Sequence, residues 1–197
     1  PRSDAWRMVG LCVLIVLAGF TLRSALRATF TNANYATEFL VYAHGTPDTA
    51  MVARELEDMS RRLTGGLHLK VAYDDKSSWP FEWYLRDFDQ RQFIGSSAGS
   101  PFDADVVILG IENEAANKAF LGNRYYRREY RLIWWPDQEF YFNTTLGSLW
   151  ARLRDPVQRQ EILDVVLRRE YPRSTNDWYL VSRFALYVRR DVAAQLW

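Results

Sequence analysis

The side chains best suited to chemistry crowd into residues 73–87. Asp74 and Asp75 stand side by side, followed by the hydroxyls of Ser77 and Ser78, the rings of Trp79, Phe81, Trp83 and Tyr84, and the guanidinium of Arg86. A carboxylate pair accepts hydrogen bonds from sugar hydroxyls, or shares a divalent cation with ligand phosphates. Trp79 and Trp83 are four residues apart, one face of a helix, and offer flat apolar area for a sugar ring or a polyprenyl chain. Arg86 has the fork geometry for a phosphate, although Asp87 and Glu82 compete for it as ordinary ion-pair partners. His44, just before Gly45, Thr46 and Pro47, stands where a ligand contact or proton shuttle is possible. The candidate substrate-binding set is therefore Asp74, Asp75, Ser77, Ser78, Trp79, Trp83, Arg86 and His44, with no residue assigned to catalysis.

Each candidate also has a purely structural reading. An acid pair at a helix start gains about 0.3–1 kcal/mol with no ligand, and an aromatic stripe more often belongs to a core. His68 is expected to be solvated, and with no cysteine or third histidine nearby a zinc site is not indicated. No cofactor is expected, a divalent cation beside Asp74 and Asp75 being the open alternative. Asn143, Thr144 and Thr145 match a glycosylation acceptor, a three-residue pattern of low specificity. Neither a Ser-His-Asp set nor a glycine-rich nucleotide loop is found in the sequence.

These residues need elements to hold them. Residues 38–43 form a short apolar run that predicts a buried strand. Thr46, Pro47 and Asp48 supply a cap, a first-turn proline and a first-turn acid, and Val52, Leu56, Met59 and Leu63 repeat at helical spacing up to Gly65. Alternation over 67–73 predicts a strand with one covered face, and Pro80 starts a helix running to about Phe88. Further strands are predicted at 105–110, 126–135 and 183–189, and helices at 112–120 and 155–170. Residues 95–101 read as a surface loop, and 191–197 as a short helix or frayed tail. Strands alternating with helices imply an α/β fold, an open, mostly parallel sheet flanked by helices. Ligands bind such sheets at the carboxyl ends of the strands, which would bring His44, Asp74, Asp75, Gly110, Glu112 and Asp137 to one rim.

One N-terminal transmembrane helix is expected before this domain. The run Met8–Leu22 carries no charge, lies between Arg7 and Arg23, and reaches the ~20 residues a bilayer needs when extended from Ala5 to Leu26. A cleavable signal peptide is the rival reading, but no convincing Ala-x-Ala site follows. Arg2 and Arg7 before the span balance Arg23 and Arg27 after it, so charge does not orient it. The expected division is 1–28 for the transmembrane helix and flanks, 29–37 for a connector and 38–197 for one soluble α/β domain. The start at Pro1 suggests a piece of something longer. Cys12, the only cysteine, excludes a disulfide framework within one chain. A net charge of +1, with arginines interleaved among acids, disfavours a nucleic-acid partner.

The run from Asp74 to Asp87, with Leu40 to Asp48 upstream, resembles the flippase-activity-associated membrane proteins. These look like relatives of the polytopic protein O-mannosyltransferases and oligosaccharyltransferases. This chain is similar to their last membrane helix plus the soluble domain after it. The resemblance implies a polyprenyl-phosphate-sugar-dependent glycosyltransferase as parent, with catalytic acids in loops of earlier helices outside this sequence. It also implies a membrane location with the domain extracytoplasmic. Membrane lipid, a lipid-linked sugar and upstream membrane helices are then the expected partners. Lys76 departs from the family pattern, where a third acid is expected, and weakens any claim of metal binding. The alternative is a membrane-anchored, non-enzymatic binding or scaffold subunit of a larger membrane complex.

Overall fold

A computed structural model describes residues 2–33, 35–39, 43–135, 142–178 and 181–196, with Arg2, Ser3, His44 and Asn176 as backbone only. Helix α1, Arg2–Leu26, continues through a π-helical turn, Arg27–Thr31. At about 1.5 Å per residue, 25 residues span about 37 Å, more than the ~30 Å hydrocarbon layer. The stretch Asp4–Thr31 is long and apolar enough to cross a membrane, and its apolar window is wholly unburied by the rest of the chain.

The expected strand at 38–43 is not found in the described part. Leu40, Val41 and Tyr42 lie outside the described residues, Glu38 and Phe39 sit in turns, and the strand here is β1, His44–Gly45. Helix α2, Pro47–Thr64, starts at the expected proline and ends where Gly65 adopts φ 73°, the left-handed conformation glycine takes without strain. Val52, Leu56 and Met59 are buried along it. Thr46 flanks the helix, but its hydroxyl donates to the Arg131 carbonyl instead of capping, and Asp48 accepts from the Arg131 N–H at 3.1 Å and Nε at 3.0 Å. The start of α2 is thereby tied to β5, Tyr125–Trp134.

The further strands and α-helices among the described residues are β2, Val71–Tyr73; α3, Ser78–Tyr84; β3, Arg91–Phe93; β4, Val106–Gly110; α4, Ile111–Leu121; α5, Leu146–Arg154; α6, Pro156–Leu163; β6, Val181–Arg189; and α7, Arg190–Ala193. Among the described residues six strands form one sheet in the order β1-β5-β6-β4-β2-β3. The fold is α/β with helices on both faces, but the sheet is mixed rather than mostly parallel. Only β2 runs parallel to its neighbours β3 and β4, while β4–β6, β6–β5 and β5–β1 pair antiparallel. The cause lies in β5 and β6. Trp134 at the end of β5 pairs with Val181 at the start of β6, so the chain leaves β5 and enters β6 at the same rim. A strand re-entering at that rim has to run back antiparallel.

One face of the sheet packs Val71, Tyr73, Val106, Ile108, Phe184, Leu186 and Val188 against Val52, Leu56 and Met59 of α2, Phe81 of α3 and Val192 of α7. The other face packs Ala72, Val107, Leu109, Ala185 and Tyr187 with Phe102 and Leu121. β2 is thus covered on both faces, not on one as its alternation predicts, because α4 and the loop before β4 cover Ala72. The predicted surface loop at 95–101 is pinned to α4, where Asn117 accepts from the Ala98 N–H at 2.9 Å and donates to the Ser96 carbonyl at 2.9 Å.

The register fixes which rim is which. Tyr73 pairs with Ile108, Gly110 with Phe184 and Trp134 with Val181, so the carboxyl ends of β2 and β4 share a rim with the end of β5 and the start of β6. That rim adjoins the end of α1. Ala36, Trp134 and Trp178 form a small core there, with Tyr35 stacked on Trp134 at 5.5 Å. Beside it Glu38 and Arg169, both buried, pair at 2.7 Å, while Asn32 donates to Glu38 at 2.6 Å. A buried pair of this kind holds only when the remaining hydrogen-bonding capacity is met. Asn32 and the Val165 and Val166 carbonyls, which accept from Arg169, meet part of it.

Candidate functional site

The turn after β2 splits the acid pair into two roles. Asp74 is 0% exposed. Its Oδ1 accepts from the Ser77 N–H at 2.8 Å, and its Oδ2 accepts from the Gly110 N–H at 2.9 Å and from Asn113 Nδ2 at 2.8 Å. Both oxygens therefore face donors of the fold. Asp74 ties the start of α3 to the junction of β4 and α4 and has no surface for a ligand. Ser77 is sealed as well, its hydroxyl directed at the Ile108 carbonyl at 3.3 Å. These two expectations are corrected on one ground: both side chains are enclosed at the sheet rim and bonded to backbone there, Asp74 to the Ser77 and Gly110 N–H groups and Ser77 to the Ile108 carbonyl, which also accepts from the Asp74 N–H at 3.2 Å.

Asp75 takes the other role. It is exposed, with Oδ1 accepting from Asn113 Nδ2 at 2.6 Å and Oδ2 unengaged among the described residues. A cation beside the acid pair would have Asp75 alone, because Asp74 already faces three N–H donors. Among the described residues there is no cluster of three or more His, Cys, Asp or Glu able to hold a metal. Lys76, where a third acid is expected, lies over Gly110 so closely that a Cβ on Gly110 would collide with the lysine Cβ. Glycine is required at that position by close approach.

The tryptophans lie at the surface. Trp79 is 56% and Trp83 67% exposed, and with Ser78, Pro80, Glu82 and Tyr84 they line an open groove of about 490 Å3. Phe81 turns the opposite way and packs edge-on against Phe184 at 4.9 Å, which fixes the inner side of α3 and leaves the tryptophans outside. Trp79 itself departs from helical geometry at φ −97°, ψ 118°. The Ser78 hydroxyl donates to the Asp75 carbonyl at 2.9 Å, joining the groove to the acid turn. Pro80 lies near Gly45, so α3 reaches across the rim toward β1. Arg86 does not point away as a free phosphate clamp. Its guanidinium lies 4.3 Å from the centre of the Trp83 ring, Nη1 donates to the Trp83 carbonyl at 2.9 Å, and Nη2 is 3.5 Å from Asp87.

Glu82 connects the groove to the core by accepting from the Tyr73 hydroxyl, and Arg91 donates to the Glu82 carbonyl at 3.2 Å. Burial, then the Glu82 carboxylate, pushes the Tyr73 phenol up to about 12. On the other sheet face Arg127 grips Glu114 and holds its carboxyl below the usual range, while burial followed by Glu114 pushes Tyr187 up to about 12. A second hollow of about 500 Å3 includes Glu55, Tyr126, Leu186, Val188 and Arg190 in its lining. Val188 pairs with Tyr126 at the far end of the strands, so this hollow lies away from the acid turn.

His44 is described as backbone only, pairing with Trp134, and Asp137 lies outside the described residues. Glu112 is exposed in the first turn of α4. His68, expected to be merely solvated, has Nδ1 2.6 Å from Asp89. Asn113 is the residue that sequence reasoning missed. It bridges both acids, and an Asn in the first turn of the helix after the Gly110 strand end is the signal that could have found it.

In comparisons with known proteins the chain matches no family model, no curated protein and no solved structure.

Proposed function

We propose that this chain is the membrane-anchored, extracytoplasmic domain of a glycosyltransferase-like protein, and that it binds the saccharide of a lipid-linked sugar while the reacting acids lie elsewhere in the parent. The observation that carries the reading is the exposed pair Trp79 and Trp83 beside Asp75, at the rim where α1 ends. A sugar ring stacks on a flat indole and gives its hydroxyls to a carboxylate, and a lipid-linked sugar is presented close to a membrane surface. The orientation and the glycosyltransferase class rest on the resemblance of the Asp74–Asp87 run to the flippase-activity-associated family. A second reading, a binding or scaffold subunit without chemistry, is favoured by Asp74, whose carboxylate is taken up by the fold.

The test is tryptophan emission or ligand-observed NMR on the whole chain in detergent micelles, titrated with hexose 1-phosphates and short-chain polyprenyl-phosphate hexoses. Binding is expected, weakened about threefold to tenfold by Trp79→Ala or Trp83→Ala, at roughly 0.5–1.5 kcal/mol per ring. Asp75→Ala weakens it as well. Absence of binding by any of these sugars, or binding indifferent to all three substitutions, refutes the saccharide site.

A further inference from the structure

Helix α5 is covered only in part, with Leu149, Arg152 and Leu153 half-buried and its other residues exposed. Thr145 caps it, accepting from the Ser148 N–H at 3.2 Å while the Thr145 N–H donates to the Ser148 hydroxyl at 2.8 Å, and none of its residues is buried. Leu146, Leu149, Trp150 and Leu153 fall at i, i+3, i+4 and i+7, one stripe of the helix. Leu146 is 89% and Trp150 59% exposed, and Phe142, one turn earlier, is exposed too. Apolar side chains are exposed on the next segment as well. Val157 and Leu163 of α6, and Leu167 in the π-helical turn after it, are also exposed. A nine-residue helix is marginal in water without tertiary packing, and an apolar stripe of this kind needs a cover.

The cover is indicated by where the segment is tied. Arg23, at the end of the apolar span of α1, donates to the Leu167 carbonyl, and Arg27 donates to the Arg168 carbonyl at 2.6 Å. The buried Glu38–Arg169 pair locks the same place, with Arg27 3.8 Å from Glu38. The end of the α6 segment is therefore held at the level where α1 leaves the bilayer. The Arg154 guanidinium lies 5.1 Å from the Trp150 ring centre, an arrangement that suits a headgroup layer, where indoles sit and arginines reach phosphates.

We propose that α5 and α6 lie flat on the bilayer that α1 spans, with Phe142, Leu146, Trp150, Val157, Leu163 and Leu167 inserted among the upper acyl chains. The segment then acts as a second, interfacial contact that fixes the tilt of the domain and presents the Asp75 rim to the lipid surface. This rests on α1 being a membrane helix, and not on the identity of any sugar.

The test uses the whole chain in phosphatidylcholine vesicles containing phosphatidylglycerol, with single cysteines carrying an environment-sensitive fluorophore and doxyl-labelled lipids as quenchers. Cys12 itself reports on α1. With Cys12→Ser as background, Leu146→Cys and Val157→Cys report on the apolar stripe, and Ser148→Cys on the opposite side of α5. An interfacial helix sits about 5–10 Å into the headgroup boundary. The expected result is a blue-shifted Leu146→Cys label quenched by shallow doxyl groups, a Ser148→Cys label quenched less, and a Cys12 label quenched by deep ones. A Cys12 label quenched beside Leu146→Cys and Val157→Cys labels with aqueous, unquenched emission overturns the interfacial contact and leaves the anchor standing. So does a stripe that is shielded from lipid and cross-links to a second copy of the chain. A Cys12 label not quenched at all overturns the anchor and this inference with it.

Discussion

Replacing Asp74 with alanine should unfold the domain far more readily than it affects a ligand. The carboxylate accepts from the Ser77 and Gly110 N–H groups and from Asn113, all at 2.8–2.9 Å in a site with no exposure. Asn113 keeps Asp75 as a partner at 2.6 Å, but the two backbone donors are left with none. An orphaned buried donor costs about 1–3 kcal/mol, so two cost roughly 2–6 kcal/mol. Against a total stability of about 5–15 kcal/mol, that is a large fraction. In urea, at a slope of about 2 kcal/mol per molar, the midpoint should fall by about 2 M for a loss of about 4 kcal/mol. The assay is urea unfolding of the whole chain in mild detergent, followed by tryptophan emission, with Asp75→Ala as comparator. Asp75 is exposed, and its loss should shift stability by no more than about 0.5 kcal/mol. If Asp74→Ala keeps the wild-type midpoint yet abolishes sugar binding, Asp74 is a ligand contact and its structural assignment here is wrong.

Two further outcomes follow from the same rim and its surroundings. Gly110→Ala should cost about 1–3 kcal/mol because its Cβ meets that of Lys76, and Lys76→Gly in the same chain should restore most of the urea midpoint, whereas Lys76→Ala, which keeps the Cβ, should not. An alkaline absorbance titration should retain a phenolate component near 12, part of which disappears in Tyr73→Phe and part in Tyr187→Phe. Both groups are raised in the folded state, from 10.0, so the unfolded chain loses these protons first. Stability should accordingly fall as pH rises from about 10 to about 12. A titration with no component near 12 would contradict the burial of these phenols.

Local chemistry made much of the fold legible. Thr46, Pro47 and Gly65 bound a helix found at Pro47–Thr64, and the apolar run at 105–110 became β4 at Val106–Gly110. The Asp155-Pro156 start is realised, with Asp155 accepting from Val157 and Gln158 at 2.8 and 3.0 Å. Helix α5 carries neither a first-turn acid nor a proline to announce it, and only the Thr145–Ser148 cap marks its start. β3 is three residues long and gives no periodic signal of its own. Within the candidate site, Trp79, Trp83 and Asp75 are at the surface, whereas Asp74 and Ser77 are sealed.

Periodicity, capping and length belong to short stretches of chain, and they already specify an apolar helix of membrane length, the main helices and strands, and a turn rich in acids and indoles. Long-range packing sets the rest: β5 and β6 return antiparallel, Asp74 serves Gly110 and Asn113, and the acid turn shares a rim with the end of α1. Each of these depends on partners brought together from distant parts of the chain, Trp134 to Val181 and Asp74 to Gly110 among them. Neighbouring residues cannot encode which of two adjacent carboxylates the assembled sheet will enclose.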